Sequence, residues 1–517
     1  MASKSLFKST IGKFIPRTNA RNSEFAPAYA FSPKHALAQY AVTGCLNATF
    51  YASAENQLET VLDLAQKVEP EFVAKLALYC RSRAFMKDLP ALLCAVLSVR
   101  SPGLLAEVFD RVIDSPKMLR NFVQIMRSGH VGRKSLGSLP KRLVVRWIDN
   151  KSDEQLVFGS VGNDPSLADV IKMVHPKPAT KSREALFGYL IGRDYVTIDL
   201  PEIVQRYEAF KKDNAAEMPD VPFQMLTSAK LSADNWKQIA RNASWQTTRM
   251  NLNTFARHGV LEDAALIDLI ANRLRDRDQI KRARIFPYQL MAAFLNVENS
   301  MDTAIQNALQ DAMEIAIENV PAIPGKVYVF PDVSGSMKTP VTGHRKGATT
   351  AIRCVDVAGL IAAAVLRRNP HAEVIPFEQS VVRLDLNGRD SVMTNASQLA
   401  SVGGGGTNCS APLKLLNERR AKGDLVIYVS DYESWVDAKA GRGTATMQEW
   451  SAFKARNPAA KMVCIDLVPN RTTQADEAAD ILNVGGFSDQ VFEVVSHFAE
   501  GTLAPNHWIG VIEAQRI

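Results

Sequence analysis

Residues 326–337 read KVYVFPDVSGSM, so that a short apolar strand runs directly into a polar turn. Three more apolar segments follow it, AEVIPF (372–377), LVIYVS (425–430) and MVCIDLV (462–468), and an apolar helix is predicted over about 351–368. Strands that alternate with helices predict a parallel α/β sheet with helices on both faces. Ligand sites in such doubly wound, Rossmann-like sheets lie beyond the C-terminal ends of the strands. Functional residues are therefore expected directly after these segments.

Polar residues stand at these strand ends in a pattern that suits a metal ion. A carboxylate and two hydroxyls alternate on the first turn, a threonine follows four consecutive glycines, and an aspartate follows LVIYVS. Each piece alone also fits a capped turn or a flexible loop, and the glycines form no phosphate-binding loop because no Gly-Lys-Ser/Thr follows them. Together these oxygens match the preference of a hard divalent cation. The predicted metal ligands are Asp332, Ser334, Ser336, Thr407 and Asp431.

In order and spacing these five residues resemble the metal-ion-dependent adhesion site of von Willebrand factor A domains. That pattern is Asp-x-Ser-x-Ser, a later Thr and then an Asp, and every member is present here. The resemblance implies a bound Mg²⁺ or similar ion, with one coordination position open for an acidic side chain of a partner. The alternative is a domain that keeps the fold and binds no metal.

The chain before residue 320 has a different texture. Segments such as 69–85 and 103–126 carry apolar residues at three- and four-residue spacing, which predicts short amphipathic helices. Helices joined by short connectors favour an all-α, HEAT-like helical-repeat body. The predicted organisation is a basic N-terminal arm (1–24), a helical-repeat module (25–320), a linker (321–325) and an A-type domain (326–517).

Length and composition limit the class of protein to which this chain can belong. A chain of 517 residues is too long for one core. The longest wholly apolar run, 357–366, is shorter than the roughly 20 residues of a membrane-spanning helix, so no membrane association is expected. The six cysteines form no Cys-x-x-Cys pair, which argues against structural zinc and indicates reduced thiols. A cytoplasmic monomer is expected.

The positive charge lies in the helical part. Residues 326–517 hold 20 Lys and Arg against 20 Asp and Glu, so residues 1–325 carry the whole formal charge of +7. Three basic clusters lie there, a Gly- and Ser-rich stretch that predicts a mobile loop (127–142), a second segment (171–183) and a third (281–284). A single basic cluster is ordinarily a solvated surface, but three favour phosphate binding. The candidate RNA contacts are Arg127, His130, Arg133, Lys134, Lys141, Arg142, Lys172, His175, Lys177, Arg282 and Arg284.

Nearly the whole chain resembles the Ro autoantigen (TROVE-module) ribonucleoproteins, in the form of their bacterial members. The stretches that carry this resemblance are TGCLNATFYASAENQ (43–57), the basic loop, His175-Pro-Lys-Pro, LNTFARHGVLED (252–263), IKRARIFPYQLMAAF (280–294), and then DVSGSM, GGGGTN and SDYE. The resemblance implies a ring of paired helical repeats closed by the A-type domain. It also implies binding of Y-like noncoding RNA and of the single-stranded 3′ ends of misfolded RNAs, in RNA quality control. An exoribonuclease or another protein could then offer a carboxylate to the metal.

One departure concerns the segment before His175, which carries Asp164 and Asp169 but only one lysine, where animal relatives place basic residues. This departure argues against tight RNA binding of the animal type, though not against RNA binding in general.

Two other classes of function compete with this interpretation. A cytoplasmic A-domain adaptor would bind an acidic protein partner without RNA, but it has no need of basic clusters. An enzyme is not expected, because an aspartyl-phosphate phosphatase needs a carboxylate where Ser334 stands, and a Gly-x-Ser-x-Gly elbow is absent. Two-metal nucleases need more converging carboxylates than the strand ends supply.

Overall fold

The computed structural model describes residues 15–162, 165–213, 216–227, 229–283, 287–297, 301–318, 320, 322–344, 352–438, 443–488, 490–503 and 506–517. These residues fold into two compact units. The first unit takes the described residues of 1–68, 285–296 and 313–514, and the second takes those of 69–284, 297–312 and 515–517.

The second unit is helical. Its helices are α3 (Pro70–Ser82), α4 (Asp88–Arg100), α5 (Pro102–Val112), α6 (Pro116–Ser128), α7 (Ser138–Asp149), α8 (Asp153–Gly159), α9 (Leu167–Val174), α10 (Lys181–Ile191), α11 (Glu202–Lys212), α12 (Phe223–Leu226), α13 (Ala233–Asn242), α14 (Trp245–Met250), α15 (Leu252–Arg257), α16 (Ala264–Leu274) and α17 (Arg277–Ala283). Local sequence sets many of their starts: Pro70, Pro102 and Pro116 occupy first-turn positions, where the missing N–H is not needed. Ser152 and Ser166 begin α8 and α9 with capping boxes.

Each helix of this unit packs mainly on near neighbours in the chain. Helix α4, which is buried over most of its length, contacts α3, α5 and α6, while α9 contacts α6, α7 and α10. Further along, α16 packs on α13 and α14. Such local pairing is typical of helical-repeat proteins.

The stretch predicted as a basic loop is a connection flanked by two helices. Helix α6 continues to Ser128 and α7 begins at Ser138, so only nine residues connect them. Gly129, Gly132 and Gly137 adopt positive φ angles of 91°, 80° and 74° in this connection. The predicted loop is therefore present over residues 129–137, while the ends of the predicted stretch belong to α6 and α7.

A five-stranded parallel sheet forms the centre of the first unit. Its strand order is β4-β3-β5-β6-β8. The strands are β3 (Val327–Pro331), β4 (Glu373–Val374), β5 (Leu425–Ser430), β6 (Lys461–Asp466) and β8 (Ile481–Gly485). Alternate residues of a strand face opposite sides of a sheet. Tyr328, Phe330 and Tyr428 accordingly share one core cluster with helices α22 (Ala411–Glu418) and α23 (Ala445–Arg456).

The remaining helices of this unit complete its layers. Helix α20 (Cys354–Arg368) contacts β3, β5 and α21 (Val392–Ala400). Its residues from Cys354 to Leu366 are all buried. The bounds are α18 (Pro287–Asn296), α20 (Cys354–Arg368), α21 (Val392–Ala400), α24 (Gln490–Glu500) and α25 (His507–Glu513), while α19 (Thr303–Ala316) extends across the boundary between the units. Helices alternate with parallel strands throughout, so the predicted fold class, a helical part followed by an A-type α/β domain, is confirmed.

The N-terminal residues fold with the sheet rather than with the helical unit. Strands β1 (Ala20–Arg21), β2 (Pro27–Ala30) and β7 (Thr472–Thr473) form a small antiparallel sheet, in which Tyr29 pairs with Thr473. Helix α1 (Pro33–Thr43) packs on α2 (Ala54–Lys67), β8 and α25. The compact units therefore divide the chain near residue 68, whereas the sequence suggested one helical module from residue 25. The apolar pattern of α1 does not reveal which neighbour buries it.

Two further features follow from the described residues. None of their helices is both long and apolar enough to cross a lipid bilayer. All six cysteines have free thiols, and every one except Cys45 is buried.

Candidate metal centre and candidate nucleic-acid surface

Asp332 lies at the C-terminal end of β3, where the chain leaves the sheet. Its N–H donates to the carbonyl of Val429 at 2.9 Å, which extends the pairing of β3 with β5 by one residue. The carboxylate is fully buried. One of its oxygens accepts from the Ser334 N–H at 2.8 Å and the other from the Ser430 hydroxyl at 2.6 Å. The side chain is thus fixed in one orientation.

The two serines of the turn lie beside this carboxylate. Their hydroxyl oxygens, on Ser334 and Ser336, are 3.3 Å apart and buried. The Gly335 N–H between them donates to the carbonyl of Gly405 at 2.8 Å. This hydrogen bond ties the turn to the glycine loop and brings the third predicted segment to the same edge of the sheet.

Thr407 and Asp431 complete the group. Thr407 is buried, and its carbonyl accepts from the Trp435 N–H at 3.1 Å. Asp431 follows β5 directly, is 2 % exposed, and lines a small cavity together with Ser336. The structure therefore brings all five predicted metal ligands to the point where the order of the strands reverses, β4 lying on one side of β3 and β5 on the other.

The charges of this group suit a divalent cation. Burial, and then the negative charge of Asp431, raise the pKa of Asp332 to about 7. Burial also raises the pKa of Asp431. Two buried carboxylates that repel each other are unfavourable unless a cation lies between them, and a bound divalent ion would reverse both effects. Two carboxylates and three hydroxyls fit a hard ion such as Mg²⁺ better than zinc. Among the described residues, no group of three or more His, Cys, Asp or Glu side chains is arranged to hold a metal.

The structure adds residues around the site that the sequence did not reveal. Ser430 orients Asp332. In the sequence, only its position directly before Asp431 pointed to this role. Glu378 accepts from the Gly405 N–H at 2.7 Å and so holds the glycine loop. Asn470 donates to the carbonyl of Asp431 at 2.6 Å.

Residues from the N-terminal segment also reach the metal site. The side chain of Glu433 accepts from the N–H of Ser23 at 2.7 Å and from its hydroxyl at 3.2 Å. Burial, and then the charge of Asp431, raise the pKa of Glu433 to about 8. Tyr51 lines a small cavity together with Ser336 and Asp431. Nothing in the sequence near these N-terminal residues indicated this location.

The first two basic clusters come together on the second unit. Helices α6 and α7, which carry the two ends of residues 127–142, both contact α9, which carries Lys172. Hydrogen bonds from Ser166 lower the pKa of Asp169, and the positive charges of Lys172 and Arg127 lower it further. One charge from each cluster is therefore close to the same carboxylate. The exposed predicted side chains of these clusters are Arg127, His130, Lys134, Lys141, Arg142, Lys172, His175 and Lys177, which together we call the basic surface.

Three predicted RNA contacts lie elsewhere or differ in character. Arg133 is half-buried, and its guanidinium donates to the carbonyl of Ser98 at 3.0 Å near the end of α4. Arg282 is exposed on α17, which packs on α14 rather than on the helices of the basic surface. Arg284 lies outside the described residues.

Comparison with known proteins relates both parts of the chain to one group. Residues 326–499 match the family model described as Ro60 vWA domain. The chain is 24% identical over 525 residues to the RNA-binding protein RO60 of Deinococcus radiodurans, across 94% of this chain and 96% of the relative. It is 23% identical over 257 residues to the RNA-binding protein RO60 of Caenorhabditis elegans, covering 47% of this chain and 38% of that one.

A solved structure extends the relation to the fold. The crystal structure of the Deinococcus radiodurans RO (RSR) protein matches with a TM-score of 0.61 at 22% identity, covering 91% of this chain and 100% of the other. The helical part and the A-type domain therefore occur in the same order in both proteins. The resemblance that the motifs predicted is confirmed: the chain is similar to Ro proteins along nearly its whole length, and residues 326–499 match the Ro60 vWA domain model.

Proposed function

We propose that this protein binds RNA through the phosphates, using the basic surface on α6, α7 and α9. The observation that carries the proposal is the convergence of two basic clusters, distant in sequence, on neighbouring helices. The relatives from Deinococcus and Caenorhabditis are both named RNA-binding proteins, which supports the same role here. The RNAs we propose are Y-like noncoding RNAs and misfolded RNAs with a single-stranded 3′ end, in RNA quality control.

The basic surface has cations available for phosphate. Its Lys and Arg side chains are exposed, and none forms an ion pair with an acid among the residues that the structure describes. Nearby cations behave differently, since Arg146 pairs with Asp110 and Arg183 with Asp153. When unpaired cations contact phosphates, the counterions condensed on the RNA are released. This release favours binding of RNA over a neutral partner.

Filter binding with two RNAs tests this proposal. A hairpin with a single-stranded 3′ tail should bind more tightly than the same hairpin without it. Replacing Lys134, Lys141 and Arg142 together with Ala should weaken binding strongly. The matched control replaces Lys211, Lys212 and Arg241, three exposed cations on α11 and α13, and should change binding little. If both triple variants lose affinity equally, overall charge rather than the basic surface binds the RNA.

Salt dependence provides an independent measurement. The logarithm of RNA affinity should fall with the logarithm of salt concentration by about 0.7 per phosphate contacted on a single strand. The basic-surface variant should have a shallower slope than the wild type, because fewer counterions are released. An unchanged slope in that variant would contradict phosphate contacts by these side chains.

We propose further that the A-type domain binds Mg²⁺ through Asp332, Ser334, Ser336, Thr407 and Asp431, and so recruits a protein carboxylate without performing catalysis. The buried pair of carboxylates supports this role. Titration calorimetry should show Mg²⁺ or Mn²⁺ binding by the wild type and none by the Asp332→Ala variant. Removing the hydroxyl that orients Asp332, with Ser430→Ala, should weaken binding roughly tenfold or more. A Ser496→Ala control, on α24, removes a hydroxyl that contacts Glu500 instead of a predicted ligand, and it should bind normally.

The adaptor without RNA remains the competing proposal. It predicts purified protein with a protein-like ratio of absorbance at 260 and 280 nm, whereas RNA binding predicts a ratio raised by bound nucleic acid that falls after nuclease treatment.

A further inference from the structure

In the first unit, most of the exposed large apolar side chains lie in segments around the candidate metal site. Among the described residues of the first unit, the exposed ones are Phe25, Phe50, Leu295, Trp435 and Val436. All except Leu295 belong to segments that contact the metal-site loops. We call Phe25, Phe50, Trp435 and Val436 the aromatic rim.

Trp435 and Val436 border the site on the side of the glycine loop. Both of their N–H groups donate to the carbonyl of Thr407, at 3.1 and 3.2 Å. A Cβ at Gly406 would lie 2.6 Å from the Trp435 ring and 2.8 Å from Val436. The glycine therefore leaves room for an indole that is still 47 % exposed. The loop holds this ring in place without burying it.

Phe50 borders the small cavity beside the candidate ligands Ser336 and Asp431. Its ring packs edge-on against that of Tyr51, with centroids 4.8 Å apart. Both aromatic residues line the small cavity that Ser336 and Asp431 also line. Phe50 is 59 % exposed. An apolar group that approached the metal from solvent on this side would meet its ring.

Phe25 lies on the turn that is anchored to the site through Ser23. Its φ angle is +60°, a conformation that favours Gly or Asn over a bulky residue. The turn is fixed by the Asn22 side chain, which accepts from the N–H groups of Glu24 and Ala26. Phe25 is nevertheless 78 % exposed, so the strained backbone presents a benzyl group to solvent without burying it.

We propose that the aromatic rim and the metal together form a docking surface for a protein segment in which an Asp or Glu is flanked by large apolar side chains. This inference rests on the proposed metal site, because the metal would take the carboxylate. Large apolar side chains exposed around a polar site are typical of protein contacts. Glu24 and Asp437, next to the rim, oppose a polyanion such as RNA, which brings many negative charges, whereas a single carboxylate would be met by the metal and by Lys338 near Gly404. The charges therefore favour an acidic peptide over nucleic acid.

Selection from a random peptide library displayed on phage tests the docking surface, using the full-length protein with Mg²⁺. Recovered peptides should contain Asp or Glu with a large apolar residue within two positions. Their synthetic versions should lose binding with EDTA and when the acid is changed to Asn. The variants Phe50→Ser and Trp435→Ser should each weaken binding by roughly tenfold or more, as truncation of a central aromatic contact does. The variant Leu295→Ser, exposed on α18, is the matched control and should bind normally.

Other results would overturn the inference. These are the recovery of no binding peptide, the recovery of peptides without an acid, and peptides that bind the two rim variants as well as the wild type. Concentration-dependent dimerisation that Trp435→Ser abolishes would assign the rim to a second copy of the chain instead. Metal calorimetry on the same samples separates the two proposals: Mg²⁺ binding without a rim effect contradicts only the docking surface, whereas absent Mg²⁺ binding contradicts the metal site.

Discussion

At the scale of single residues, the candidate metal centre depends on backbone positions as much as on its ligands. Gly403 has a φ angle of +78°, and a Cβ there would lie 2.3 Å from the carbonyl oxygen of Val333. That oxygen belongs to the turn that carries Asp332 and Ser334. The first glycine of the loop is thus required both for its conformation and for its close approach to the turn that carries the candidate ligands.

Replacing this glycine should therefore be costly. We expect Gly403→Ala to lower the free energy of unfolding by about 1–3 kcal/mol, since it combines strain with a backbone clash. Gly388→Ala is the matched control, because its Cβ would meet nothing nearer than 3.5 Å and its φ is not in the left-handed region. Urea denaturation of both variants measures the difference. Equal stabilities would contradict the close approach of the two loops.

At the level of secondary-structure elements, the neighbours Arg133 and Lys134 have different roles. The turn between α6 and α7 directs the first side chain inward and the second toward solvent. Arg133 points inward to the carbonyl of Ser98 near the end of α4. Lys134 is exposed on the basic surface. The first therefore joins two helices, and the second is available to solvent and phosphate.

Substitution of one residue should therefore affect mainly stability, and substitution of the other mainly RNA binding. Arg133→Ala should lower the free energy of unfolding by about 1 kcal/mol or more, because a buried carbonyl loses its charged donor. Lys134→Ala should change stability by less than about 0.5 kcal/mol, as exposed substitutions do, and should weaken RNA binding. Denaturation and filter binding on the two proteins measure both effects. If Arg133→Ala weakened RNA binding and left stability unchanged, Arg133 would act mainly on RNA.

At the scale of the whole molecule, both ends of the chain contribute to the first unit. Helix α1 and helix α25 pack against each other, and the buried His35 ring stacks on Phe31 at 4.2 Å and meets Trp508 edge-on at 5.5 Å. Burial lowers the pKa of His35 to about 3. Its Nε2 is buried without a hydrogen-bond partner among the described residues. This core therefore accepts only the neutral imidazole.

This histidine should make the first unit sensitive to acid. The unfolded chain protonates His35 near pH 6.5 and the folded chain only near pH 3, so the unfolded state binds more protons between these values. Stability should consequently fall as the pH drops below about 6.5, by up to about 1.4 kcal/mol per pH unit. His35→Phe keeps an aromatic ring and removes the titration. The stability difference between the two proteins, followed by denaturation from neutral to mildly acidic pH, should shift by that amount in favour of the variant, and a constant difference would refute the buried neutral state.

Much of the fold and of the candidate metal centre could be predicted from the sequence because the signals are local. Apolar strands such as 425–430 encode their own burial, and polar residues directly after them must lie at one edge of a parallel sheet. Capping residues and prolines likewise mark helix starts within a few positions. The five metal-ligand candidates needed no knowledge of distant contacts. The strand 481–485 was missed because its apolar run is short, and AEVIPF forms a strand only at Glu373–Val374 because it lies at the edge of the sheet.

The sequence could not predict which surfaces meet, because that depends on the packing of the folded chain. A periodic apolar pattern specifies that a face is buried, but it does not name the neighbour, so the sequence could not assign α1 and β2 to the sheet. The same reason hides the approach of Ser23 and Tyr51 to the metal site, the inward direction of Arg133, and the joining of two basic clusters on α6, α7 and α9. Contacts between residues far apart in the chain leave no local spacing to recognise, and the packing of the folded chain alone creates them.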